Sequence, residues 1–252
     1  MHRRNVKRLG AFLLLVAAAI WAAWGTGVNL AQFRNLFHSV DLLGKFFPLD
    51  WADADLTFTS AVVTLQMAFL GTLTALLVAF PTAFLAARNT APSRGVYAAA
   101  RGVLNVLRAV PEIVIALLLV PMVGLGPFPG VLTIFLHNVG VLGKLISELI
   151  EAVDPGPPEA VASTGARRLL VYLYGIVPQI WPNVLSQYFY RFEVAIRSSL
   201  FLGLIGAGGI GEQLLIHFKL FQYPRMAVDI LAIIALVMAV DALGGVVRKR
   251  VI

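Results

Sequence analysis

The stretch LFLGLIGAGGIGEQL, Leu200 to Leu214, admits two readings that lead to different folds. Gly206, Gly208 and Gly211 stand in the G-x-G-x-x-G spacing behind an apolar run, and Asp229 follows about 20 residues on, where a ribose-binding carboxylate would sit. That is the pattern of a dinucleotide-binding loop, which needs a surrounding βαβ unit. The other reading is the end of a membrane helix, where glycines let the backbone turn tightly. The rest of the chain decides between them.

Composition opposes the soluble fold. Of 252 residues, 59% are hydrophobic and 13% charged, against roughly 25% charged in soluble domains. Mean hydropathy is +0.85. A cofactor-binding α/β domain needs charged outer helix faces, and this chain has too few charges to supply them. The net charge of +7 does not indicate nucleic acid, because the basic residues cluster between apolar runs. There are no cysteines, which excludes disulfides, thiolate metal sites and cysteine nucleophiles. His2, His38, His137 and His217 show no metal-ligand spacing, and no Walker, H-E-x-x-H or G-x-S-x-G motif occurs.

A spanning helix needs about 20 mostly apolar residues. Six segments qualify: Leu9 to Val28, Leu56 to Ala87, Gly102 to Val123, Val131 to Ile150, Asn183 to Ile205 and Met226 to Val247. The first also has the look of a signal peptide, but its apolar run is long for one and more spans follow. The segment GLGPFPG, Gly124 to Gly130, reads as a turn. The predicted organisation is a first helix and external connection over residues 1–56, a membrane domain over 57–247 holding a polar loop at 151–178, and a basic tail at 248–252. With the N-terminus inside, the inner segments hold Arg3, Arg4, Lys7, Arg8, Arg88, Arg94, Arg101, Arg167, Arg168, Arg248, Lys249 and Arg250. The outer ones hold Arg34, Lys45, Lys219 and Arg225. This bias predicts both termini and the 151–178 loop in the cytoplasm and the glycine stretch outside. Leu200 to Ile205 is then a helix end, and Asp229 belongs to the next span. The glycines Gly206, Gly208, Gly209 and Gly211 become a tight turn lining a pathway, since irregular backbone at membrane depth must be buried or wetted.

The polar loop carries the most specific pattern. Glu159, Ala160, Gly165, Val177 and Pro178 occupy positions of a spaced signature, with Val161 and Gly175 departing from it. Pro157 and Pro158 suit a first helical turn. Glu159 is favoured near that N-terminus, and Gly165 permits close approach or a bend. Arg167 and Arg168 suit acidic groups on a partner; a solvated loop with basic anchors is the plainer reading. The spacing resembles the cytoplasmic signature of bacterial ABC importer permeases. YRFEVAIRSSLFLGLIGAGGIGEQL, Tyr190 to Leu214, resembles their phosphonate and phosphite branch.

This resemblance implies an all-α polytopic inner-membrane subunit of type I importer fold, with about six transmembrane helices and no catalysis of its own. It implies a second permease subunit, commonly forming a homodimer, and two ATPase subunits that bind ATP and Mg. It also implies an extracytoplasmic phosphonate-type binding protein. This chain would hold no cofactor and no metal. Glu159, Ala160, Gly165, Arg167, Arg168 and Pro178 would form the coupling region. A methionine-type importer of the same fold is the nearest rival. A lipid enzyme lacks a convergent catalytic set here, and a simple channel leaves the signature loop unexplained.

Charges inside the spans need partners, because a central Arg costs about 2.5–3.5 kcal/mol on insertion scales. Glu193 and Arg197 are four apart and share a helix face. Arg191 lies about 200° from Glu193, so it looks elsewhere, with Glu112 a candidate partner. Arg191 and Arg197 suit a tetrahedral oxyanion in a pathway, or a buried network that locks helix packing. His137 and Asn138 are further candidates for either role. Lys144 with Glu148, and Asp241 with Arg248, read as ordinary pairs.

Overall fold

The computed structural model describes residues 2–27 and 41–251, and every regular element among them is helical. The chain divides into two compact units, Met1–Pro48 and Leu49–Ile252. In the first, α1 spans His2–Gly25 and α2 is the single turn Asp41–Gly44. Among the described residues, the apolar part of α1 is Gly10–Gly25, shorter than a full span. Part of the connection expected after it, residues 28–40, lies outside the described residues.

The second unit contains α3 (Ala54–Leu85), α4 (Arg94–Ala109), α5 (Glu112–Val123), α6 (Pro127–Glu151), α7 (Gly156–Ser163), α8 (Arg168–Val171), α9 (Val177–Gly203), α10 (Ile210–Lys219) and α11 (Tyr223–Val251). Among the described residues, four helices are long and apolar enough to cross a membrane: α3, α6, the run Arg168–Gly203 and Tyr223–Val246. The expectation of about six spans is thus matched in part, with four to five found among the described residues. The third, Gly102 to Val123, is broken into α4 and α5, bent by 87°. Pro111 has no N–H to continue the ladder and holds Val110 extended at φ −81°, ψ 122°. Counting the bent pair as one span gives five.

Other boundaries move for similar reasons. The predicted turn Gly124 to Gly130 shortens to Gly124–Gly126, because Pro127 suits the first turn of α6. The polar loop is largely helical: α7 occupies part of it, and the helix that becomes the fifth span starts at Arg168. Pro178 sits inside that helix. Its missing N–H and its ring disfavour the α ladder, and one π-turn, Tyr172–Ile176, precedes it. Gln179 Nε2 donates to the Gly175 carbonyl at 2.6 Å. The basic tail, too, continues α11 as far as Val251.

The core lies where α3, α4, α6 and α9 meet. Ala75, Ala79, Ala83, Leu104, Leu142, Ile146 and Val184 are buried there. Small residues let the backbones approach, as membrane helices require: a Cβ on Gly140 of α6 would lie 2.6 Å from the Arg108 amide of α4.

Candidate functional site

The break between α4 and α5 puts Glu112 at the start of a helix, beside the middle of α6 and α9. Arg191 of α9 is nine-tenths buried. It donates from Nε and Nη2 to Asn138 Oδ1 at 2.9 and 2.6 Å, and from Nη2 to Glu112 Oε1 at 3.3 Å. Asn138, itself fully buried, donates onward to Thr72 Oγ1 of α3 at 3.1 Å. His137 places Nδ1 3.3 Å from the Val110 carbonyl, which only an N–H can satisfy, and Nε2 3.6 Å from Glu112. Glu112, His137, Asn138 and Arg191 thus converge across the break. The expected Arg191–Glu112 partnership forms.

Arg197 makes a contact across helices as well. Its Nη2 reaches both oxygens of Asp241 on α11, at 2.6 and 2.7 Å. Asp241 is thereby taken, and the side chain of Arg248, its expected partner, lies outside the described residues. The cause is tertiary: α9 and α11 pack face to face. Both side chains of this pair remain nearly half exposed in the single chain.

One feature that periodicity alone did not single out is the polar face of α9. Ser186, Gln187, Tyr190 and Glu193 border an open cleft of about 480 Å³. Their i, i+1, i+4, i+7 spacing in a spanning helix was the available signal.

At one end of the bundle lies the glycine stretch. Gly206, Gly208 and Gly209 adopt φ of +90°, +78° and +75°, a region that only glycine enters freely. Gly126 N donates to the Gly206 carbonyl at 2.8 Å, and Ile210 N donates to Thr64 Oγ1 of α3 at 2.9 Å. Gly211 lies against the backbone of Leu200. No strand precedes this turn among the described residues, and Asp229 is fully buried in α11. Asp229 accepts from Thr57 Oγ1 at 2.7 Å and from His217 Nδ1 at 2.6 Å. The dinucleotide reading therefore fails on geometry. His217 Nε2 lies 3.3 Å from Asp53, which also accepts from Arg225. Arg225 donates to Asp50 as well, at 2.8 Å. That hydrogen bond, with the Ala52 amide, holds the Asp50 carboxyl below its ordinary pKa of 3.8. The sequence reading missed this cluster, which forms only when α10 and α11 fold back on α3.

At the other end, Glu151 accepts from the Arg88 amide and from Arg101 Nη1, both at 2.9 Å. Lys144 pairs with Glu148 at 2.7 Å, as expected. Beyond this network α7 exposes Glu159 and Ala160, and the segment after it exposes Gly165, Arg167 and Arg168. Gly165 has φ +79° with open space around it, so it makes a bend. Close approach occurs instead at Gly175, the departing position: a Cβ there would lie 2.6 Å from Pro158 Cα.

Residues 79–252 match the family of binding-protein-dependent transport system inner membrane components. A putative phosphite transport system permease of Stutzerimonas stutzeri is 37% identical over 98% of this chain and 88% of its own length. A phosphite transport system permease of the same organism is 38% identical over 97% and 90%. A phosphate-import permease of Mycolicibacterium smegmatis is 39% identical over 92% of this chain, which spans 44% of that protein. Among solved structures, an inward-facing MetNI methionine ABC transporter covers 81% of this chain and 100% of its own at TM-score 0.71 and 15% identity, a likeness of fold. With a family match over more than half its length and relatives above 30% identity across nearly all of it, the chain belongs to the binding-protein-dependent transport system inner membrane components.

Proposed function

We propose that this chain is the membrane-spanning subunit of an ATP-driven importer and passes a phosphorus oxyanion such as phosphite, phosphonate or phosphate. The observation that carries this reading is the polar cleft on α9, edged by Ser186, Gln187, Tyr190 and Glu193 within a span. Polar side chains facing a cleft at membrane depth mark a pathway, and the names of the phosphite and phosphate relatives supply the class of cargo. Arg191 and Arg197 are engaged by Asn138, Glu112 and Asp241. They shape the wall and its field, and weak neutral donors in the cleft meet the moving anion.

In this reading the arginine end faces the cytoplasm with both termini, by the Lys and Arg bias. The exposed surface of α7 with Gly165, Arg167, Arg168 and the Pro178 turn couples to the ATPase subunits, which hold ATP and Mg. A second copy of this chain completes the pathway. The glycine turn forms the external gate beneath a delivering binding protein.

The test is uptake of radiolabelled phosphite by proteoliposomes holding the whole transporter, with phosphonate, phosphate and methionine as competitors. Phosphorus oxyanions are expected to compete and methionine not; the reverse would make the chain a methionine-type permease. Gln187→Leu removes one hydrogen-bonding group worth about 0.5–1.5 kcal/mol. It should lower uptake by about 2- to 10-fold with the ATPase subunits still bound. Unchanged uptake would remove α9 from the pathway.

A further inference from the structure

We propose that the cleft of about 540 Å³ between Arg88, Ala91, Ser93, Arg94 and Tyr97 binds a phosphate-type anion, supplied as an anionic phospholipid headgroup or as free phosphate. This site lies at the turn between α3 and α4, away from the α9 cleft. It does not depend on which way the chain is oriented in the membrane.

The turn is fixed before any ligand arrives. Thr90 Oγ1 donates to the Phe84 carbonyl at 2.7 Å, and Asn89 Nδ2 donates to the Ile150 carbonyl at 2.6 Å. Tyr172 donates its hydroxyl proton to the Thr90 carbonyl at 2.9 Å. Arg88 is therefore presented from a held loop. Its Nε donates to Tyr97 Oη at 3.0 Å, which aims the guanidinium and leaves both terminal nitrogens for another acceptor. The guanidinium carbons of Arg88 and Arg101 both lie over the Tyr97 ring, 5.7 and 5.5 Å from its centroid.

The charges here do not balance. Arg101 is used by Glu151 and Glu148, and Lys144 by Glu148. Arg94 has no ion pair or hydrogen bond from its side chain among the described residues, and it lines the cleft. Four cations thus share two carboxylates, and the surplus sits on Arg88 and Arg94. Two guanidiniums at one cleft present forked donors suited to a tetrahedral oxyanion. The cleft also opens at the start of α4, a helix of 16 residues capped by Ser93, whose dipole favours the same charge. Apolar Leu85 and Val96 are exposed nearby, where the acyl chains of a lipid would lie.

The experiment uses the whole transporter, released from membranes containing equal phosphatidylglycerol and phosphatidylcholine, in native mass spectrometry. Wild type is expected to retain phosphatidylglycerol in preference, or to carry, when inorganic phosphate is added, a phosphate adduct that Arg88→Gln with Arg94→Gln removes. Arg94→Gln should reduce retention about tenfold, the scale of one lost charge-assisted hydrogen bond. Arg88→Gln with Arg94→Gln should abolish it. Displacement of the lipid by excess inorganic phosphate identifies the free anion as a ligand, and persistence of the lipid identifies the headgroup. Equal retention of both lipids with no phosphate adduct sensitive to the double variant overturns the proposal, as does wild-type retention by the double variant. Loss of ATPase subunits from the variant with lipid retention unchanged also overturns it, because the cleft is then a protein contact.

Discussion

The two ends of the membrane domain are built from different materials. At the glycine end backbone meets backbone: a Cβ on Gly203 would lie 2.6 Å from the Glu212 amide, and one on Gly208 3.1 Å from Pro127 N. At the arginine end the contacts run through long side chains. Arg101 and Glu151 are mostly buried, but Glu148, which binds both Arg101 and Lys144, is half exposed. Backbone contacts have no spare volume and cannot re-aim. Charged side chains can rotate, and water can replace a missing partner. The glycine end should therefore fail at the addition of one carbon, and the arginine end should yield gradually.

The largest expected effect is that of Gly211→Ala. Helix propensity favours the change by about 1 kcal/mol, yet the new methyl meets the Leu200 carbonyl, which belongs to a helix and cannot move aside. Overpacking costs about 1–3 kcal/mol or more, so the clash wins. Reduced yield of monodisperse transporter and a lower melting temperature are expected. Gly102→Ala supplies the contrast: nothing lies within 4 Å of its added carbon, so propensity alone acts and stability should be unchanged or higher. Equal behaviour of the two variants would dissolve the distinction between the ends.

At the arginine end, Glu151→Gln keeps an acceptor for the Arg88 amide and Arg101 but removes the charge. A partly solvated pair is worth about 0.2–1 kcal/mol. The expected outcome is a small drop in melting temperature that disappears in high salt, with subunit assembly intact. A loss as large as that of Gly211→Ala would show that this network is as rigid as the glycine turn.

The same contrast explains what could be read from residue order. Membrane class followed from the scarcity of charge, and the glycine turn from spacing and context, because both are local properties. The Arg191–Glu112 contact was readable because an arginine in a span demands a partner, and helix geometry turned it away from Glu193. Arg197 shows the opposite case. Its contact with Asp241, 44 residues on, has no local sign and arises only once α9 meets α11. The break at Pro111 was written in the chain, yet hydropathy averages over a proline between apolar runs. His217 and Asp229 gave no local sign of each other, since only the fold-back of α10 and α11 brings them to 2.6 Å.

The smallest effect belongs to the solvated edge of the glycine end, where charges rather than backbone make the contact. Arg225 holds the Asp50 carboxyl below its ordinary pKa of 3.8, first by a hydrogen bond and then with help from the Ala52 amide. A carboxylate whose folded pKa is depressed contributes stability that is fully present above the unfolded value. That contribution is lost as pH falls through the folded one. It should therefore be constant from neutral pH down to about 4 and decline below. Arg225→Gln removes the main cause, so its melting temperature should lie slightly below wild type near neutrality and approach it in acid. Melting curves of detergent-purified transporter across that range measure this directly. A gap that instead widens as pH falls would mean that Arg225 acts through something other than the Asp50 carboxylate, and this edge would then belong with the rigid backbone contacts beside it.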